Sequence, residues 1–177
     1  MACQAALLIS MSGLPGTGKS TLALGLAERL HAVWLRIDTI EQAIRDSFVL
    51  AGEVGPAGYI VGYGIAEANL RLGHVVVADS VNPIAITRDA WRDVARAAGV
   101  RLVEVAVVCS DAVEHRRRVE TRVASVAGLV APTWDEVIGR ERDAWERTPV
   151  TVDTAGRSID ACLDELVAAI GVGASAS

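Results

Sequence analysis

Two patterns of apolar spacing alternate along the chain. Short, nearly continuous apolar runs lie at 5–11, 32–37, 74–78, 101–108 and 150–152, and read as buried strands. Between them, apolar residues recur at helical spacing. Leu22, Leu26 and Leu30 share one face of a helix predicted over 19–31, and Ile40, Ala43 and Ile44 one face of a helix over 39–50. Further helices are predicted at 59–72, from Pro83 to 98, and at 111–123, 133–148 and 158–170. Gly73 and Gly99 stand where a left-handed residue closes a helix, and Pro83 suits a helix start. Thr133 with Glu136 three residues on makes a capping box. Residues 51–58, with three glycines and Pro56, read as a loop. Residues 124–132 are small and apolar and read as a mobile connection, within a short lid at about 116–133.

Strands separated by helices predict an α/β fold, a five-stranded parallel sheet with helices on both faces in one domain over 1–177. Ligands of such sheets bind beyond the carboxyl ends of the strands. At those ends stand a glycine-rich turn, Asp38 and Asp79.

Composition changes this picture only by exclusion. Apolar residues make up 51% of the 177 residues, too many for a disordered chain. A net charge of −5 argues against unselective nucleic-acid binding, which needs a surplus of Lys and Arg. Cys3, Cys109 and Cys162 lie far apart, with no paired spacing for zinc or disulfides. No apolar run reaches the roughly 20 residues of a membrane span, and residues 1–9 lack a signal peptide's basic start. The expectation is a cytoplasmic protein, monomer or homodimer.

The glycine-rich turn matches GxxxxGK[ST] in full, as Gly13-Leu14-Pro15-Gly16-Thr17-Gly18-Lys19-Ser20, between a strand and an amphipathic helix. Glycines let successive amides face one anion, and the helix start adds unpaired N–H groups. Nucleotide contacts are expected from these residues and Thr21, with Lys19 reaching the β- and γ-phosphates of ATP and Ser20 ligating Mg²⁺. The same cradle serves phosphoryl transfer, hydrolysis-driven motion and regulatory binding.

Asp38 and Asp79 each admit two readings. Asp38 is either a base for a hydroxyl nucleophile or the N-cap of the following helix. Asp79 is either a second Mg²⁺ carboxylate or a turn residue. Asn82 and Arg88 are candidates for an acceptor pocket, with a surface position the alternative for Arg88. In the basic run His115-Arg116-Arg117-Arg118, Arg118 shares a helical face with Arg122, and both are expected to offset phosphate charge. Arg116 and Arg117 read as a solvated face. The tryptophans read as packing residues and the histidines as structural.

Together GLPGTGKS, RID, VVVADSVN with Arg88 and Trp91, RRRVETR and VDTAG resemble the P-loop small-kinase group. Polynucleotide 5′-hydroxyl kinases, chloramphenicol phosphotransferase, gluconate kinase and the zeta toxins belong to it. The resemblance spans about 5–170 and implies a three-layer P-loop NTPase fold with sheet order 2-3-1-4-5. It implies that Asp38 is the base, that Arg118 and Arg122 lie in the lid against adenine or phosphates, and that Asp153-Thr154-Ala155-Gly156 passes near the adenine. Asp79 to Asn82 with Arg88 would border the acceptor. The activity expected is transfer of the γ-phosphoryl group of ATP to a hydroxyl of a small molecule. The alternatives are a nucleic-acid 5′-hydroxyl acceptor, for which no basic groove is legible, and a nucleotide-binding switch or toxin-like module with a protein partner.

Overall fold

The computed structural model describes residues 5–49, 52–122 and 126–171. Its elements run β1 (Leu7–Ser12), α1 (Lys19–Leu30), β2 (Val33–Arg36), α2 (Ile37–Asp46), α3 (Ala57–Arg71) and β3 (Val75–Asp79). They continue with α4 (Ala85–Ala98), β4 (Arg101–Val108), α5 (Ala112–Thr121), α6 (Trp134–Ile138), β5 (Val150–Asp153) and α7 (Ile159–Ile170). The sheet order is β2-β3-β1-β4-β5, every pairing parallel, as expected.

Each central strand is apolar on both sides because each side meets a helix layer. Leu7, Ile9, Met11, Val75 and Val77 pack with Leu22, Leu26 and Leu30 of α1 and with Leu163, Leu166 and Ile170 of α7. Leu8, Val76 and Ala78 pack on the opposite face with Ala66 and Leu70 of α3 and Trp91 and Val94 of α4. Two cores on opposite faces of one sheet make the three-layer architecture. The functional consequence is that β1 and β3 are fixed from both sides, and their last residues hold still.

Several boundaries differ from the sequence reading. β2 passes into α2 without a connecting residue, so Asp38 lies in the first helical turn; the N-cap is Arg36, which makes no side-chain cap. That removes the capping reading of Asp38. On α2, Ile37 and Gln42 are buried, whereas Ala43 is exposed. α5 ends at Thr121, so Arg122 stands beyond the helix in extended conformation (φ −66°, ψ 137°) and does not share a helical face with Arg118. Val123, placed in that helix from sequence, lies outside the described residues, as do 124 and 125 of the lid.

The helix predicted over 133–148 stops at Ile138. Its N-terminus is as expected, with the Thr133–Glu136 capping box in place. Beyond Gly139 the backbone groups find partners outside a helix. Arg88 donates to the carbonyls of Asp143 (3.3 Å) and Ala144 (2.8 Å), the Asp143 amide donates to Pro83 O (3.0 Å), and the Asp143 carboxylate accepts from the Ala85 amide (2.7 Å). Tertiary hydrogen bonds displace the helical ladder. No helix among the described residues is long and apolar enough to cross a membrane.

Candidate active site

β1 ends at Ser12, and the next residues turn back over the sheet before α1 begins at Lys19. The turn is held from three sides. The Gly13 amide donates to Val81 O (3.2 Å), the Thr17 hydroxyl to Leu14 O (2.9 Å), and the Thr154 hydroxyl to Thr17 O (2.8 Å). Gly18 takes φ +87° as the N-cap of α1, a conformation only glycine adopts freely. Gly16 (φ +84°) lies so close to α5 that a Cβ would meet Val119 Cγ2 at 2.5 Å. His115 supports the turn from below: its Nε2 lies 2.9 Å from Pro15 O, and its ring packs edge-on to Trp134 at 5.1 Å. The structural role expected of this histidine is thus a specific one, under the turn.

A cavity of about 730 Å³ opens over the turn. Leu14, Pro15, Gly16, Gly18, Lys19, Ser20 and Thr21 line its floor. Arg118, Arg122, Thr154 and Asp38 also line the cavity; Thr154, with Arg118 bonded to it, follows β5 at one edge of the sheet, and Asp38 follows β2 at the other. Gly13 and Thr17 belong to the turn but line a second cavity of about 350 Å³ on its other flank. Asn82 and Arg88 also line the second cavity and not the first. Both are buried and heavily bonded. Asn82 reaches Ser10, Ser12 and Trp91, and Arg88 donates to four carbonyls while stacking on Trp145 at 4.5 Å. Arg88 is therefore neither a surface residue nor a group facing Asp38.

The charges are arranged in a chain. Lys19 Nζ donates to Asp79 Oδ1 at the root of the turn, and both side chains are buried. Arg36 Nε lies 3.8 Å from Asp79 Oδ2, and Arg36 Nη2 lies 3.4 Å from Asp38 Oδ2. Asp38 is about one-third exposed (32%), enough to meet a ligand. At the far end Arg118 donates to the Thr154 hydroxyl (2.8 Å), Thr154 O (3.0 Å) and Glu114 (2.7 Å). Gly156 N–H and Arg118 hold the Glu114 carboxyl below its usual range.

Asp79 Oδ2 is buried and accepts no hydrogen bond among the described residues. A buried carboxylate oxygen without a hydrogen-bond donor, on the strand next to the turn that carries the Ser20 hydroxyl, fits a hard cation such as Mg²⁺, although Asp79 itself does not line the cavity. No group of three or more His, Cys, Asp and Glu suited to a metal occurs among the described residues.

Among the residues of this cavity that sequence reasoning passed over are Arg36, Glu41, Tyr59 and Arg140. Arg36 stood in the RID motif, and Glu41 follows Asp38 by one helical turn. Tyr59 and Arg140 come from α3 and the segment after α6, and no spacing links them to the turn.

A family model described as an AAA domain, AAA_33, matches residues 8–138. The chain belongs to the AAA_33 family. Uncharacterised proteins of Mycobacterium tuberculosis and Mycobacterium bovis are 31% identical to this AAA_33 chain over 162 residues. That alignment covers 84% of the chain but only 32% of theirs, so the chain spans about a third of the length of these relatives. The fold is that of P-loop kinases. The Mycobacterium tuberculosis APS kinase CysC, in complex with AMPPNP and APS, superposes with TM-score 0.69 at 18% identity, covering 96% of this chain and 99% of that one. A gluconokinase from Sinorhizobium meliloti gives 0.63 at 18% identity, covering 97% and 94%. The tunicamycin resistance protein of Deinococcus radiodurans gives 0.67 at 17%, covering 97% and 99%.

Proposed function

We propose that this AAA_33 domain transfers the γ-phosphoryl group of ATP to a hydroxyl of a small molecule. The observation that carries the reading is one cavity shared by a complete phosphate turn and a partly exposed carboxylate, Asp38, at its opposite end. Phosphoryl transfer asks a protein mainly for positioning and charge stabilisation. The turn amides and the α1 N-terminus hold the phosphates, and Lys19 offsets their charge. Arg118 and Arg122 stand where a nucleotide running away from Asp38 would lie. Thr154 and Arg118 would flank the base.

Asp38 faces the acceptor. As the acceptor oxygen bonds to the γ-phosphorus, the bond to the ADP oxygen breaks and the acceptor proton passes to the Asp38 carboxylate. Arg36 holds that carboxylate from the sheet side. Ser20 and Asp79 would hold Mg²⁺, whose chemistry here is to shield the β- and γ-phosphates.

The test is Asp38→Asn. ATP affinity, read by calorimetry, is expected to stay within about twofold, while acceptor-dependent ADP release falls by about 10²–10⁴. A screen of hydroxylated metabolites, antibiotics and oligonucleotides supplies the acceptor. Full turnover of Asp38→Asn on that acceptor would remove Asp38 from the chemistry.

A further inference from the structure

Asp38 shares the cavity wall with residues whose chemistry is consistent. Asp38 and Glu41 sit three residues apart on one face of α2, and both line it. Tyr59 of α3 stands beside them, and Leu129, Val130 and Pro132 form an apolar rim from the lid. Lid residue Gly128 lies against α2, where a Cβ would meet Gln42 Nε2 at 2.8 Å. The acceptor end is thus polar on one side and apolar on the other.

We infer that Glu41 sets the acceptor class: this end of the cavity takes an uncharged or amine-bearing polyhydroxyl compound with an apolar flank, and rejects sulfate-, phosphate- or carboxylate-bearing acceptors. The inference rests on the phosphotransfer reading and narrows it.

Three independent observations support it. The first is the place made for Glu41. Gly58 stands in the first turn of α3, where a Cβ would come within 2.3 Å of Glu41 Cγ, so only glycine leaves the Glu41 side chain its present room against α3. The second is the shortage of partners around it. Its one ion pair within 4 Å among the described residues is a long one, 3.4 Å to half-exposed Arg45. Burial, then the neighbouring Asp38, push the Glu41 carboxyl above its usual range despite Arg45 and Arg140. Such a carboxylate accepts hydroxyl or ammonium donors and repels a third anion.

The third is the state of the cations. Arg36 is buried between Asp38 and Asp79. The charge of Arg140 falls on Glu41 and on Glu136. Arg36, Arg45 and Arg140 therefore each already face a carboxylate. Arg118 is held on the far side of the sheet by Thr154, next to β5.

The experiment compares three panels of hydroxylated compounds by coupled ADP release: amino sugars and amino alcohols; neutral sugars, polyols and their alkyl glycosides; and sugar acids with nucleoside phosphosulfates. Acceptor-dependent release is expected in the first two panels. Within matched pairs, kcat/KM should be lower by about tenfold or more where a carboxylate replaces the amine or hydroxyl. Glu41→Gln should raise the acceptor KM for amines by about tenfold with kcat little changed, and should flatten the ranking by charge. Gly58→Ala, which displaces the carboxylate without removing it, should move the same KM in the same direction. Circular dichroism confirms that both variants are folded.

An anionic acceptor used as well as its neutral counterpart would overturn the inference and leave phosphotransfer standing. So would an unchanged charge ranking in Glu41→Gln. Silence in all three panels, with ATP bound, would overturn the phosphotransfer reading and this inference with it.

Discussion

Asn82 offers the sharpest test of how the site is built. It is 2% exposed, follows β3 by three residues, and takes φ +45°. Its Nδ2 donates to Ser12 Oγ (3.2 Å), Ser10 Oγ (3.3 Å) and Met11 O (3.5 Å), and its Oδ1 accepts from Trp91 Nε1 (3.2 Å). One amide thus joins the end of β1, the exit of β3 and helix α4. In Asn82→Ala the Trp91 N–H, on a fully buried ring, loses its acceptor, at a cost of about 1–3 kcal/mol. The Ser10 and Ser12 oxygens lose the amide donor but keep their own O–H bonds, so they add about 1 kcal/mol between them. A left-handed alanine costs about 1 kcal/mol more than asparagine there. These bonds are long, which favours the lower half of each range. The sum is about 3 kcal/mol, out of about 5–15 kcal/mol for a typical domain. Urea unfolding followed by tryptophan fluorescence measures it, with the slope unchanged from the parent. Asn82→Gly removes the backbone term and should recover about 1 kcal/mol relative to alanine. A parent-like midpoint for Asn82→Ala, or glycine no better than alanine, would refute this account and return Asn82 to the list of ligand contacts.

Two further outcomes follow from buried or hydrogen-bonded charges. Lys19→Met should abolish ATP binding in calorimetry and destabilise the domain by about 3–5 kcal/mol, because buried Asp79 loses its lysine; adding Asp79→Asn should restore stability without restoring binding. The nucleotide-base end should loosen in acid. Ser110, through its side chain and amide, and the Ala155 amide hold Asp153 below its ordinary 3.8, and Gly156 N–H and Arg118 hold Glu114 below its ordinary 4.5. Both folded values are depressed, so the stabilisation is complete above those ordinary values and is lost as pH falls through the folded ones. Protection of the Ala155 and Gly156 amides, relative to intrinsic exchange at each pH, should fall below pH 4.5, and Glu114→Gln should lessen that acid response. Protection of these amides that ignores acid in the parent chain would contradict the assignment.

The central strands were legible because burial on both faces leaves an unbroken apolar run such as 74–78, which few other elements show. The phosphate turn was legible because its geometry demands glycines at set positions. The strand order came from the resemblance, since nothing in the apolar runs says which neighbours pair. Elsewhere local pattern met tertiary competition. The helix expected to 148 has the right cap and composition, yet Arg88 and Pro83 take its backbone groups. Arg122 has the spacing to share a face with Arg118, and the helix ends one residue too soon. Arg88 and Asn82 lie in the sequence where an acceptor pocket would draw on them; their partners, Trp91, Trp145, Ala144 and the β1 serines, come from across the fold. Glu41 was missed for the converse reason: a carboxylate on a polar helix face looks solvated until Gly58 of another helix is set against it.

The junction at Arg36 and Ile37 has one more consequence. With no linker to lengthen or shorten there, inserting even a single residue would swing every later side chain of α2 by roughly 100° about the helix axis. Descendants of this chain can therefore retune that wall only by exchanging side chains at fixed stations such as 38 and 41. Variation in length is left to the stretch between α5 and α6, from which Leu129, Val130 and Pro132 line the same cavity.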